Sequence, residues 1–297
     1  MRCRARTSAY GGGSLRKQRG MALLLVLWGC TLLAILLGGY AMMARTEALQ
    51  AHYEDNQTRA HYAAQAGLMR AIYGLQDPQT TQRWVADGRV YPFAYAGASV
   101  AVSIIDESAK VDINSASAPV LEQLFRVGGA TAERAHALAQ AVMDWRSFGL
   151  GSEQQQTQTH AYTAAGLDYG PRHGPFASIE ELQLVLGMDP LLYRTLAPVL
   201  TIWSGRDSPN PSTAPLLALQ AIPGMDPAHA AQLIATRVNG QLGPGLAGGG
   251  GVTHSIRSEA TLADGTRAVL RATIRLRGVR SGAQPYAVLR WQEGEGE

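Results

Sequence analysis

The stretch "RKQRGMALLLVLWGC", Arg16–Cys30, carries three basic residues and a single glycine directly against hydrocarbon. The apolar run that opens at Met21 continues to Met43, 23 residues without a charge. A bilayer core needs about 20 helical residues, whereas the apolar part of a secretory signal is about 7–15. The run is therefore long enough to span. A basic excess before it places the N-terminus in the cytoplasm and the bulk of the chain across the membrane. Three readings remain at this point: a removed secretory signal, with a poor cleavage site at Gly39–Ala41, a plain anchor, and a leader cut at Gly20.

Outward from the run, Tyr40 to Ala66 holds neither Gly nor Pro and is rich in Ala, Glu, Gln, Arg and Leu, all good helix formers. Leu49, Tyr53, Ala60, Ala63, Ala64, Leu68, Ala71, Ile72 and Leu75 recur at helical spacing. One continuous helix over 21–75 is expected, about 80 Å long at 1.5 Å per residue. The alternative is a membrane helix followed by a separate juxtamembrane one.

The period changes after Asp77-Pro78. "VYPFAYAGASVAVSIID", Val90–Asp106, alternates as one or two strands. Residues 252–262 and 267–277 flank an Asp264-Gly265 turn signal, and a last strand fits Tyr286–Trp291. The middle is helical and repetitive. "NSASAPVLEQLFRVGG" from Asn114 and "NPSTAPLLALQAIPGM" from Asn210 align without gaps at an offset of 96, matching Pro119 to Pro215, Leu121 to Leu217 and Gly128 to Gly224. A third unit, Ala177–Leu200, shares Gly-Met-Asp-Pro with Gly224–Pro227. Each reads as a short helix, a tight glycine turn and a second helix. The expected class is α+β: a long N-terminal helix, strands, an inserted bundle of helical hairpins, then more strands. The boundaries read as 1–20 leader, 21–43 membrane helix, 44–76 helix extension, 77–111 first part of the sheet, 112–238 inserted α-domain, 239–251 Gly-rich linker and 252–297 last strands.

Charge and chemistry narrow the function. The net charge is +3, yet six of the basic residues lie in the first twenty positions with no acid, so the remainder is slightly acidic and is no general nucleic-acid coat. Both cysteines, Cys3 and Cys30, fall before or within the apolar run, which leaves no thiol for a disulfide or metal site beyond it. No P-loop, Gly-x-Ser-x-Gly, His-Glu-x-x-His or dinucleotide fingerprint occurs, and the chain is not expected to be an enzyme. His52 and His61 read as solvated helix residues. His160 and His173 fall in a loop read from Leu150 to Pro175, beside Asp144, Glu153 and Asp168, a weak oxygen-ligand set for calcium. Ordinary loop charges are the competing reading, and no other cofactor is expected.

The repeats resemble helix-hairpin-helix (SAM-like) modules, many of which grip DNA phosphates through hairpin N–H groups. A membrane-anchored DNA-uptake receptor is thus the alternative function. Its chemistry is poor here. Asp189 and Asp226 stand where a phosphate would approach, and Pro190 and Pro227 each remove an N–H. Asp followed by Pro suits a helix start instead. At the first hairpin, Val127–Ala130, Arg134 is the sole nearby cation candidate.

"QRGMALLLVLW", "ARTE" at Ala44–Glu47, "AQAGL" at Ala64–Leu68, "DESAKVDINSAS" at Asp106–Ser117, Asp144-Trp145, "GPFASIEELQLVLGM" at Gly174–Met188 and "PNPSTAP" at Pro209–Pro215 follow one another in an order that resembles the type II secretion system minor pseudopilin K family, in the type IV pilin-like superfamily. The resemblance implies a pilin-like fold, the long helix packed on an antiparallel sheet. It implies a prepilin peptidase cut between Gly20 and Met21 with N-methylation of Met21. It also implies partners among minor pseudopilins of types I and J, the major pseudopilin and the inner-membrane assembly platform, in a pseudopilus tip that starts assembly and limits fibre length. Nucleic acid is not among the implied partners. Most pilins carry glutamate at the fifth mature position, whereas Leu25 stands here, as in K-type members. A carboxylate costs about 2.5–3.5 kcal/mol at mid-membrane and is useful only where a neighbour's amine meets it, so its loss fits the subunit at the fibre end. Some K-type members have an acid-rich loop after Asp-Trp. Here Arg146 and Ser147 occupy that place, which counts against calcium.

Overall fold

The computed structural model describes residues 19–79, 81–148, 151–238, 251–277 and 284–294. Most of the leader and nearly all of the 239–251 linker lie outside them. Helix α1 (Arg19–Leu75) runs 57 residues without interruption, so the separate juxtamembrane helix does not occur. The chain divides into two compact units between Asn56 and Gln57. In the first, every residue from Met21 to Asp55 is exposed.

In the second unit, residues 57–75 of α1 pack on a five-stranded antiparallel sheet. Its strands are β1 (Asp87–Tyr95), β2 (Ala98–Asp106), β5 (Thr253–Leu262), β6 (Arg267–Leu276) and β7 (Tyr286–Glu293), in the spatial order β1-β2-β5-β6-β7. The helix buries Ala60, Ala63, Ala64, Leu68, Ala71 and Ile72 against Val100, Val102, Ile104, Ile256, Leu270 and Ile274. Small residues on the helix let it approach the strands closely. At Gly67 a Cβ would stand 2.2 Å from Ser258 Oγ and 2.8 Å from Val100 Cγ1.

The stretch read as one or two strands is two. β1 and β2 turn at Ala96 and Gly97, both left-handed at φ 48° and 81°, the backbone a two-residue hairpin needs. The Asp264-Gly265 signal sits between β5 and β6, with Gly265 at φ 89° and the Thr266 N–H donating to Asp264 Oδ1 at 2.9 Å.

Between β2 and β5 the chain builds a second core. It comprises β3 (Val111–Asp112), α2 (Ala118–Val127), α3 (Ala132–Arg146), α4 (Ser152–Ala164), α5 (Pro190–Leu196), β4 (Leu200–Thr201), α6 (Leu216–Gln220) and α7 (Pro227–Val238). Leu121, Leu124, Phe125, Leu138, Trp145, Leu182, Leu196 and Leu219 are buried together. β3 and β4 pair in parallel, Val111 with Leu200, at the base of this excursion.

Two expectations are corrected. The segment read as a loop over 150–175 contains α4. It is polar and lacks the apolar stripe that betrays a helix, and it is held through the buried Tyr162, whose hydroxyl accepts the Leu186 N–H at 3.1 Å. The third repeat opens not with an α-helix but with a 3-10 helix, Ile179–Leu184, and α6 in the second is five residues long. The helix–turn–helix description therefore holds for α2–α3 and α6–α7, and the Ala177 unit departs from it.

Candidate assembly interface

Two features of the chain bear on function: the exposed apolar part of α1 and the buried junction between the sheet and the inserted helices.

From Met21 to Met43 the helix presents Leu24, Leu25, Leu27, Trp28, Leu33, Ile35, Leu36 and Leu37 to the outside, Leu25 at 67% exposure. By length and composition it is able to cross a membrane, and a helix satisfies its own backbone hydrogen bonds there. Within the run Thr31 Oγ1 donates to the Trp28 carbonyl at 2.8 Å, and just beyond it Thr46 Oγ1 donates to the Met42 carbonyl at 3.0 Å. Met21, Leu24, Leu25, Leu27, Trp28 and Thr31 line a shallow apolar recess. Leu25 thus stands on an uncharged surface suited to another apolar helix. The Gly20–Met21 bond lies in the first turn of α1.

The junction is built on three buried carboxylates within "DESAKVD", Asp106–Asp112, each no more than 2% exposed. Asp106 ends β2. Its Oδ1 accepts the Ser108 N–H at 2.8 Å, and its Oδ2 accepts the Gly251 N–H at 2.8 Å, where the chain re-enters the sheet. Glu107 accepts from Lys110 Nζ at 2.8 Å and, through its other oxygen, from Thr201 Oγ1 of β4. Asp112 Oδ1 accepts the Asn114 N–H at 2.8 Å, and its Oδ2 accepts the Gly205 N–H at 2.7 Å and Ser204 Oγ at 3.3 Å. The Asn210 N–H adds a bond to the Ser108 carbonyl at 2.8 Å. The outgoing strand is therefore clipped to residues 201, 205, 210 and 251, all reached after the helical excursion. Charge-assisted bonds of this kind are roughly twice as strong as neutral ones.

The calcium candidates do not form a ligand set. Asp144 is half-buried and accepts from Gln140 Nε2 at 3.4 Å, while Glu153 is exposed in the first turn of α4 and Asp168 is exposed beyond its end. Among the described residues no three His, Cys, Asp or Glu side chains come together to hold a metal, and calcium takes six to eight oxygens. Folding Ser152–Ala164 into a helix takes Glu153 out of the loop that the sequence seemed to offer. Arg146 brings its own charge to the neighbourhood, donating to the Ile113 carbonyl at 2.8 Å and the Ala116 carbonyl at 2.5 Å. Burial lowers its pKa, and the Asp112 carboxylate opposes that.

At the hairpins the donors a phosphate would use are occupied. Asp189 caps α5, accepting the N–H groups of Leu191 at 2.9 Å and Leu192 at 2.8 Å. These bonds, Leu192 first, and the Arg134 guanidinium hold its carboxyl below the usual range. Asp226 accepts the His229 N–H at 3.1 Å. Arg134 is committed to Asp189 and to the Gly187 carbonyl at 2.9 Å.

His52 and His160 are exposed, and His61 and His173 are half-buried. The histidine that matters to the junction is His254, 5% exposed and paired in register with Asp106, and no feature of "GVTHSIR" singles it out. Its Nδ1 has no partner, nor has the neighbouring buried Ser108 Oγ. Burial pushes the ring's pKa below 6.5, against the pull of Asp106 and Glu107. Glu107 is itself held by Lys110, and β6 presents only Ile274 opposite. The folded chain thus favours the neutral ring. The stability this contributes is complete above about pH 6.5 and is lost as the pH falls through that value toward the lower folded one. Melting temperatures measured from about pH 8 to about pH 5 should fall more steeply for the natural chain than for His254→Gln. Equal slopes would show that His254 is not a source of the acid sensitivity.

The fold defines a class: a long N-terminal helix whose end packs on an antiparallel sheet is pilin-like, here with an α-domain inserted between two strands. The family model for type II secretion system (T2SS) protein K matches residues 100–205, which begin in β2 and run through the junction and the helices to just past β4. Among solved structures, a chain of the GspK-GspI-GspJ complex from the enterotoxigenic Escherichia coli type 2 secretion system is similar with a TM-score of 0.54, at 20% identity, over 85% of this chain and 100% of that one. No curated protein matches in sequence comparison. Residues 100–205 thus match the type II secretion system protein K family, and the GspK-complex chain is similar in fold.

Proposed function

We propose that the chain is a minor pseudopilin that joins minor pseudopilins of types I and J at the tip of a short pseudopilus, starts its assembly and limits its length. The observation that carries this is the uncharged, exposed Met21–Met43 face of a helix that continues into a pilin-like unit bearing a protein K domain. In this reading the leader is cytoplasmic, the helix sits in the inner membrane, and residues beyond about Ala44 lie in the periplasm. Prepilin peptidase cuts after Gly20, the new Met21 amine is methylated, and the assembly platform delivers the subunit below which the major pseudopilin adds. Leu25 removes the carboxylate that would call for an amine from a subunit above, and the bulk of the inserted helices obstructs addition there. No catalytic step belongs to the chain itself, and an assembly ATPase elsewhere supplies the work.

N-terminal sequencing of the mature protein tests the processing: a start at N-methylated Met21 is expected, and Gly20→Val should leave the full leader in place. A start at Met42 would mean a secretory signal and end the reading. Co-expression with the type I and J subunits should yield a co-purifying complex, and failure to form one would overturn the tip assignment.

A further inference from the structure

The inserted helices and the sheet keep separate cores. Leu121, Leu124 and Phe125 belong to one, Val100, Ile256 and Leu270 to the other, and among the described residues no apolar side chain belongs to both. Two bodies that share an apolar interface are held by the area they would expose on parting, and the described residues supply no such interface here. What joins them is polar. The 3-10 turn Glu107–Ala109 packs on β5, and bonds run from it and from Asp106 to Thr201, Asn210 and Gly251.

This joint is imperfect. Ser108 Oγ in the turn and His254 Nδ1 on β5 are both buried, in residues 2% and 5% exposed, and neither has a hydrogen-bond partner among the described residues. A buried polar group left unpaired carries the full cost of its desolvation, so seating the turn on β5 incurs that cost twice. A small rotation that admits water beside the turn relieves both. Away from the joint, Glu180 of the 3-10 helix Ile179–Leu184 meets Arg290 on β7 at 3.7 Å, their side chains 48% and 41% exposed. An ion pair so open to water is weak and is screened by salt.

We propose that the inserted α-domain turns as one body about the Glu107–Ala109 turn, and that the Glu180–Arg290 pair latches it against the last strand. The buried bonds of Asp106 and Glu107 lie at the pivot, where a rotation displaces atoms least, so they survive the motion. The latch lies beyond the pivot and breaks. Opening trades one exposed ion pair for hydration of two buried polar groups, so the open arrangement is populated beside the closed one and salt shifts the balance. The inference goes beyond the assembly role, since it concerns motion within the chain and holds whether or not the chain enters a fibre.

The test is a pulsed EPR distance measurement on the full chain in detergent. Spin labels are attached at Ser99→Cys, exposed on β2, and Ala137→Cys, exposed on α3, with Cys3→Ala and Cys30→Ala removing the natural thiols. Two distances are expected. The minor one should gain about two- to fivefold in population in Arg290→Glu, and should also gain when salt is raised from about 0.05 to about 0.5 M. Exchanging the charges, Glu180→Arg with Arg290→Glu, should restore the natural distribution, which damage to β7 would not do. A distribution unchanged by Arg290→Glu would overturn the proposal. So would a change that the exchanged pair fails to reverse, which would place the effect in β7 itself rather than in the latch.

Discussion

Glu107→Ala is expected to destabilise the sheet-bearing unit by about 3–5 kcal/mol, the usual cost of removing one member of a buried ion pair. Glu107 is 2% exposed and both its oxygens are engaged, one by the Lys110 ammonium and the other by the Thr201 hydroxyl. Truncation strands a cation whose side chain is 17% exposed and leaves the Thr201 hydroxyl without its acceptor. It also opens a cavity at the point where β2 passes into the helical excursion. Urea unfolding of the solubilised chain reads the loss as a lower midpoint at unchanged slope. Replacing the pair together, Glu107→Leu with Lys110→Met, should recover most of the stability, because apolar residues of similar volume substitute well for a buried pair. A loss below about 1 kcal/mol for Glu107→Ala would mean that the pair behaves as a surface bridge and does not hold the junction.

The second large effect is expected at Gly67. A valine there would drive its Cβ to 2.2 Å from Ser258 Oγ, 2.8 Å from Val100 Cγ1 and 3.0 Å from Val102 Cγ2. Ser258 is fully buried on β5 and cannot swing into solvent. Overpacking of this kind costs about 1–3 kcal/mol and occasionally more. With contacts on two strands at once, the valine should reach the upper end and loosen the 57–75 segment from the sheet. Limited proteolysis should then cut within 57–75 where the natural chain resists. Gly67→Ala paired with Ser258→Gly should be much closer to neutral than Gly67→Ala alone. The helix gains about 1 kcal/mol in propensity from alanine, and the nearest obstacle is gone. A double-mutant cycle measures that coupling, and simple additivity would show that Ser258 is not what excludes a side chain at 67.

The motif that carries the first prediction was visible before any fold was known, but not its chemistry. "DESAKVDINSAS" stood out as part of an ordered set of motifs, while nothing local marks Glu107 as the partner of Thr201 or Asp106 as the partner of Gly251. Gly67 likewise sits in "AQAGL", where its helical spacing places it on the buried side, yet the need for glycine comes from Val100 and Ser258 on two strands. The placement of the calcium candidates was hidden for a related reason. Asp144, Glu153 and Asp168 are close in sequence, but Glu153 lies in the first turn of α4, a polar helix without an apolar stripe, and Asp168 lies beyond its end.

The sequence by itself determined the features whose causes are local. A 23-residue uncharged run is a helix long and apolar enough to cross a membrane on composition alone, alternation marks the strands, Asp264-Gly265 turns the chain, and Asp189 before Pro190 starts a helix. Each needs only neighbours within a turn or two. Tertiary structure alone decided which strands meet. β2 and β5 become neighbours although the whole helical excursion lies between them. That pairing brings Asp106 beside His254 and closes the buried carboxylates on residues 201, 205 and 251. The register of a sheet and the burial of a charge are set by which distant segments exclude water together, and that information is not held in any single window of the chain.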